Sequence, residues 1–159
     1  TIGVDVGGTN IKLGVVDPDG HVISRTSFAT NPFASSKLKL IAALADEIKQ
    51  VISQTGLSKK NIAGIGIGLP GIIDYDKGIV RFLPNIPGWR NVPLKSILQK
   101  KLKLPVYIDN DVKLITMAEW KFWRRPRLHK HGMPDLGDRH RQRFGIGWPF
   151  IPRPLQCRR

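Results

Sequence analysis

The chain has 159 residues, 26 Lys+Arg against 12 Asp+Glu, a formal net charge of +14 and 41% hydrophobic residues, which suits one ordinary domain with its own core. Its single cysteine, Cys157, excludes an internal disulfide and, without Cys or His partners at zinc-ligand spacing, a Cys-based metal site. No run reaches the roughly 18 apolar residues of a membrane span, and the first residues lack the pattern of a signal peptide, so we expect a cytoplasmic protein without membrane contact.

The positive charge is unevenly distributed along the chain. Residues 1–122 carry 16 basic and 10 acidic side chains, whereas residues 123–159 carry 10 basic and 2 acidic ones. Residues 123–159 also hold three of the four histidines and show no sustained helical or strand periodicity. We therefore predict a domain at 1–122 and a basic, irregular tail at 123–159.

The first part of the domain reads as three strands. Residues 1–6 and 11–16 are apolar, β-branched runs separated by Gly7-Gly8, which favours two strands joined by a tight turn. Strong turn chemistry at Asp17-Pro-Asp-Gly20 precedes an alternating run at 22–28. These features predict an antiparallel meander.

The rest of the domain alternates helices with strands. A helix from Ser35 or Ser36 to about Thr55 is predicted by apolar residues spaced three and four apart, from Leu38 to Ile52. A glycine-laced buried strand at 62–69 and a hairpin at 72–81 follow, and then a rigid loop at 84–89, a helix at 94–102, a strand at 105–109 and a helix at 111–122. The order predicts an α/β fold whose mixed sheet has an antiparallel edge and flanking helices.

The stretch Asp5-Val-Gly7-Gly8-Thr9 ends the first predicted strand and is the first candidate for chemistry. Two glycines let backbone amides approach a phosphate, Thr9 offers a hydroxyl, and the Asp5 carboxylate could hold Mg²⁺ directly or through water. The alternative is a plain hairpin turn whose glycines supply positive φ.

A second candidate, Asp109-Asn110-Asp111, lies where the last predicted strand meets a helix. Ligands of open α/β sheets collect at the carboxyl ends of strands, where a carboxylate can accept the proton of an attacking hydroxyl. The alternative is that Asn110 or Asp111 only caps the helix.

The third candidate consists of two proline-fixed loops, Gly68-Leu-Pro-Gly71 and Pro84-Asn85-Ile-Pro-Gly-Trp89. Rigid loops of this kind can present backbone groups and the Asn85 amide to sugar hydroxyls. The alternative is two structural turns with Trp89 packed in the core.

Taken together and in this order, the three candidates make residues 1 to about 122 resemble the N-terminal half of ROK-family sugar kinases, close to bacterial glucokinases. The resemblance implies an actin-like (ribonuclease-H-like) ATPase fold, with a hexose and ATP as substrates. Asp5, Gly7, Gly8 and Thr9 would form the first phosphate loop, with Asp5 near Mg²⁺, which it would hold through water. Asp111 would be the catalytic base, and the hexose would be held by Asn110, Asn85, Asp111 and the Gly71 backbone.

The sequence departs from the family at several points. Lys113 stands where relatives commonly have a small or amide residue, and the family's Glu-His and Cys-rich segment with its structural zinc has no counterpart here. The second phosphate loop and adenosine site are missing as well. If the reading frame of the tail is shifted by one base, permitted codons can encode a glycine-rich segment similar to that second phosphate loop. We therefore interpret residues 123–159 as the product of a shifted reading frame. The alternative is a genuine basic extension that binds nucleic acid or an acidic partner.

The leading hypothesis is an ATP-dependent hexose kinase that is represented here by an incomplete half, which we expect to be inactive alone. The alternatives are a fragment of a sugar-responsive ROK repressor and a non-catalytic sugar-binding fragment. We do not expect nucleic acid as a partner of the domain. A homodimer, or self-association through apolar surface left exposed, is a further expectation.

Overall fold

The computed structural model describes residues 1–34, 36–84 and 86–123. Thr1–Glu119 form one compact unit, and of residues 120–159 only the last turn of a helix is described. The predicted tail therefore lies, from residue 124 onward, outside the described residues. Among those described, no helix is both long and apolar enough to cross a membrane.

The elements follow one another in an α/β order. In chain order they are β1 (Ile2–Val6), β2 (Asn10–Val16), β3 (Val22–Ala29), α1 (Asn31–Ala34), α2 (Lys37–Gln54), a 3-10 turn (Lys59–Asn61), β4 (Ile65–Leu69), β5 (Ile72–Asp74), β6 (Ile79–Phe82), β7 (Arg90–Val92), α3 (Leu94–Leu102), β8 (Val106–Asn110) and α4 (Asp111–Trp123).

The main sheet has five strands in the order β3-β2-β1-β4-β8. The first three strands form the predicted antiparallel meander, while β4 and β8 join parallel to β1. The predicted mixed sheet with an antiparallel edge is confirmed. Because β1, β4 and β8 run in the same direction, their carboxyl ends meet at one edge of the sheet.

One face of the sheet carries the core. Alternate residues of β1 and β2 are buried there, as the period of two along a strand requires, and they share one core with the apolar faces of α2 and α3. The opposite face carries Gly3, Asp5, Lys12 and Gly66. A Cβ added at Gly3 or Gly66 would meet nothing within 4 Å, so this face is open at both positions.

Helix α2 matches its prediction closely. The Ser36 side chain accepts a hydrogen bond from the Lys39 amide at 3.4 Å at its start, and Gly56 follows its end with φ +67°. Leu38, which the spacing assigned to the apolar face, is 69% exposed, because the stripe begins at Leu40.

A second, smaller sheet has the order β5-β6-β7. The hairpin predicted at 72–81 forms its first two strands, and Gly78 adopts φ +67° in the connecting turn. The backbone amide of Lys77 donates to Asp74, and the Arg81 guanidinium pairs with the same carboxylate at 2.6 Å. These two interactions hold the pKa of Asp74 below its usual value, the backbone hydrogen bond having the larger effect.

The sequence missed three short elements. Helix α1 and the 3-10 turn have four and three residues, and β7 has three residues of which only Val92 is buried, so none shows a readable period. The strand predicted from residue 62 begins at Ile65, because the chain first leaves the 3-10 turn.

Candidate active site

The predicted functional residues converge on the edge where the three parallel strands end. Asp5 of β1 is in register with Gly68 of β4, and Gly68 is in register with Asp109 of β8. Residues in register on parallel strands project to the same face, so Asp5 and Asp109 lie on one face with the bare glycine between them. The first and second candidates therefore share one edge of the sheet.

Gly7 begins a very tight turn between β1 and β2. Its amide donates to the Asn10 carbonyl at 3.0 Å, and a Cβ added at position 7 would lie 2.7 Å from that oxygen. Its φ is not in the positive region, so the reason for glycine here is close approach of backbone. The stretch forms a tight turn, but Gly7 is required there by close backbone contact and not by a positive φ. The compactness of the turn also suits a phosphate loop.

Thr30 holds this loop in place through two hydrogen bonds, and the sequence analysis did not identify it. Its side chain is fully buried, its hydroxyl donates to the Gly7 carbonyl at 2.8 Å, and its amide donates to the Thr9 carbonyl at 2.9 Å. A polar residue directly after a β-strand was the available signal. The partner is 23 residues away, however, and could not be identified without the fold.

Charged groups stand beside the loop. Asp5 is exposed, and within the described part of the chain no hydrogen bond or ion pair engages its carboxylate. Lys12 is in register with Asp5 on the neighbouring antiparallel strand, on the same open face. A free carboxylate is a suitable Mg²⁺ ligand, and a nearby ammonium suits a phosphate. The donor set therefore fits a metal-bound nucleotide, although Lys12 was not singled out from the sequence.

Asn110 and Asp111, in the turn from β8 into α4, have different roles. The Asn110 side chain accepts from the Lys113 amide at 3.2 Å and so caps α4. The capping alternative thus holds for Asn110. Asp111 accepts only from the adjacent Val112 amide, at 2.8 Å, among the hydrogen bonds of the described residues. The half-buried Asp111 carboxylate therefore keeps acceptor capacity for a ligand.

Gly68 and Gly71 allow this turn to pack closely. A Cβ at position 68 would lie 3.3 Å from Leu114 and 3.4 Å from the Asp111 Cα, which confirms the expected close approach of other backbone to this strand. A Cβ at position 71 would overlap the Phe82 carbonyl. The Asn110 amide nitrogen donates to the Gly71 carbonyl at 3.2 Å, so the Leu-Pro-Gly turn is tied to the start of α4.

Two residues of the predicted sugar loop have different outcomes. Asn85 lies outside the described residues. Trp89 is 1% exposed within the core, as the structural alternative expected, and its Nε1 has no hydrogen-bond partner among the described residues. Trp89 therefore anchors the loop by packing.

The fold is that of the actin-like ATPase class, with a tight glycine turn after its first strand and a carboxylate at the start of a helix at the same edge of the sheet. The family model described as ROK matches residues 1–130. The chain belongs to the ROK family.

Individual relatives include both enzymes and regulators. A glucokinase from Halalkalibacterium halodurans is 38% identical over 121 residues, which are 76% of this chain and 36% of that protein. A xylose repressor from Caldicellulosiruptor bescii is 40% identical over 118 residues, covering 74% of this chain and 29% of the repressor. The chain thus spans about a third of the length of these relatives.

Solved structures give the same result. A ROK-family glucokinase from Streptomyces griseus, in complex with glucose and AMPPNP, superposes with a TM-score of 0.67 at 34% identity. The match covers 77% of this chain and 36% of that one. The expected fold is confirmed.

Proposed function

We propose that this chain is the N-terminal part of an ATP-dependent hexose kinase of the glucokinase type. One observation carries the proposal: Asn110 caps α4, which leaves the adjacent Asp111 carboxylate available at the edge that also carries the phosphate loop. Phosphoryl transfer needs positioned substrates, neutralised charge and one proton acceptor. These residues supply the acceptor and part of the positioning.

In this proposal Asp111 accepts the proton of the sugar's primary hydroxyl, whose oxygen attacks the γ-phosphorus of ATP. The bond between that phosphorus and the β–γ bridging oxygen breaks, and ADP leaves. The backbone amides of Gly8 and Thr9 and the Thr9 hydroxyl would hold phosphate oxygens, whereas Gly7, whose amide donates to the Asn10 carbonyl, shapes the loop. Asp5 would hold Mg²⁺, directly or through water. When bound, Mg²⁺ neutralises charge on the phosphates. Lys12 adds a positive charge on the same face.

The hexose would contact Asn110 and the Gly71 turn. The Gly71 amide already donates to the Leu69 carbonyl, and the Gly71 carbonyl accepts from Asn110. The second lone pair of that carbonyl, the second amide hydrogen of Asn110 and the second lone pair of Asn110 Oδ1 remain for sugar hydroxyls. The family resemblance assigns Asn85 as a further sugar-binding residue.

The second candidate function is the sugar-binding domain of a ROK repressor, favoured by the 40% identity to a xylose repressor. A repressor needs sugar binding without phosphoryl transfer. A non-catalytic sugar-binding fragment would behave in the same way in isolation.

Two assays separate these functions. Isothermal titration of the 159-residue chain with glucose, mannose, N-acetylglucosamine and xylose tests sugar binding. ADP formation is then measured in a chimera that joins residues 1–121 to the rest of the H. halodurans glucokinase. If the protein is a kinase, the chain should bind a hexose and the chimera should form ADP. The Asp111→Asn substitution should then abolish this turnover. Xylose binding, with a folded but inactive chimera, would support the repressor function instead. Asn85→Ala should weaken sugar binding in either case.

The tail and the assembly state are separate proposals. We propose that residues 123–159 come from a shifted reading frame, which resequencing the gene through codons 118–160 tests directly. An uninterrupted frame would contradict it.

Val112 and Ile115 are 64% and 60% exposed on α4, which supports self-association of this chain. Gel filtration at several concentrations measures it.

A further inference from the structure

Lys113 contacts residues of two other parts of the fold. It lies in the first turn of α4, and its Nζ is 3.3 Å from Oδ1 of Asp109, four residues earlier. The Asp109 side chain is only 4% exposed, whereas that of Lys113 is 55% exposed. Lys113 thus brings a solvated charge to a carboxylate that is shielded from water.

Asp109 needs this partner. A buried carboxylate is costly unless hydrogen bonds and an opposite charge compensate it. The same Oδ1 atom also accepts from the Asn110 amide at 2.7 Å, and these two groups are the hydrogen-bond donors to Asp109 among the described residues. Removal of the ammonium would leave one backbone amide to satisfy a buried charge.

The same ammonium reaches the second sheet. Lys113 Nζ lies 4.9 Å from the centroid of the Tyr75 ring, in the turn between β5 and β6. A cation at this distance from an aromatic face is attracted to it. One side chain therefore connects the end of β8, the first turn of α4 and the small sheet.

A second connection runs in parallel. Asn110, on the other side of Asp111, donates to the Gly71 carbonyl directly before β5. Asp111 thus lies between two residues that each hold the small sheet, Asn110 at its start and Lys113 at its hairpin turn. We propose that Lys113 is a positioning residue that clamps the β5–β6 hairpin to the β8–α4 turn and thereby sets Asp111 against the sugar site.

The structural part of the proposal, the clamp, is based on contacts of Lys113 within the described residues. Its effect on sugar binding rests on the function proposed above. The experiment therefore has one arm for each part, and both use the 159-residue chain. Lys113→Met removes the charge at similar length, Lys113→Arg keeps it, and Tyr75→Leu removes the aromatic face. Lys49→Met is the matched control, because it removes an exposed ion pair with Asp46 on α2, away from the site.

The first arm measures amide hydrogen exchange. We expect Lys113→Met and Tyr75→Leu to speed exchange in β5 and β6 by roughly two- to fivefold, the effect of one partly exposed cation–aromatic contact. Exchange in β1 and β4 should not change, and Lys113→Arg should restore protection. Unchanged exchange in the hairpin, an equal rise throughout the sheet, or failure of the arginine variant would each overturn the clamp.

The second arm measures glucose affinity by titration calorimetry. We expect Lys113→Met to weaken it at least threefold and Lys49→Met to leave it unchanged. Faster hairpin exchange with unaltered glucose affinity would overturn the positioning of the sugar site. If the wild-type chain binds neither glucose nor another hexose, the kinase proposal and this sugar role both fail, while the exchange arm still decides the clamp.

Discussion

Thr30→Val tests how the fold holds the proposed phosphate loop. Valine has nearly the shape of threonine, so the change removes one hydroxyl and little volume. That hydroxyl is fully buried and donates to the Gly7 carbonyl at 2.8 Å. The substitution therefore leaves the carbonyl of the half-buried Gly7 without this donor, next to the proposed phosphate site.

The expected cost is about 1–2 kcal/mol, because a typical hydrogen bond contributes about 1 kcal/mol and an unsatisfied buried acceptor adds to the loss. For a compact unit spanning Thr1–Glu119 this corresponds to a fall in Tm of roughly 4–8 °C. The Thr30 amide still donates to Thr9, so the loop should loosen without unfolding.

The assay is thermal unfolding of the 159-residue chain by circular dichroism, with Thr30→Ser as the control. Serine keeps the donor and loses only a methyl group, so its Tm should lie nearer to that of the wild type. If valine unfolds at the wild-type temperature, or if serine is as destabilising as valine, the hydroxyl does not hold the loop and the reasoning is wrong.

Three further predictions concern Gly71, Asp74 and Asp111. Gly71→Ala should lower stability by about 1–3 kcal/mol in urea unfolding, because the new Cβ overlaps the Phe82 carbonyl, whereas Gly66→Ala has open space and should cost less. Asp74 has a lowered pKa, so its stabilising effect is present above its ordinary value of 3.8 and is lost as pH falls through the lower folded value; the Tm difference between wild type and Asp74→Asn should therefore shrink below pH 3.8, and a constant difference would refute this. Asp111→Asn should change hexose affinity less than about twofold but lower turnover of the chimera by roughly 10²–10⁴-fold, the contribution of a general base; retained turnover would remove Asp111 from the mechanism.

The sequence was informative where a pattern repeats over many residues. The buried positions of α2 recur at three and four residues from Leu40 to Ile52, and the first three strands alternate or end in strong turn residues. Elements of three or four residues, such as β7, contain too few positions to define a period.

Contacts distant in sequence explain what could not be predicted at the site. Asn110 was expected either to cap a helix or to bind sugar, and only the fold shows that it caps α4 while reaching Gly71, 39 residues away. The Thr30 contact with Gly7 is of the same kind. Lys113 was noted as unusual from the sequence, but its link to Tyr75 depends on how the small sheet packs.

The central claim is that the turn from β8 into α4 and the Gly71 turn bind a hexose. The most direct test is a titration of the ¹⁵N-labelled chain with glucose, followed by amide chemical shifts. The account predicts saturable shifts at Gly71, Asn110 and Asp111, with none in the Asp17–Gly20 turn at the opposite edge of the sheet. Saturable shifts elsewhere, or none with any of the hexoses named above, would contradict it.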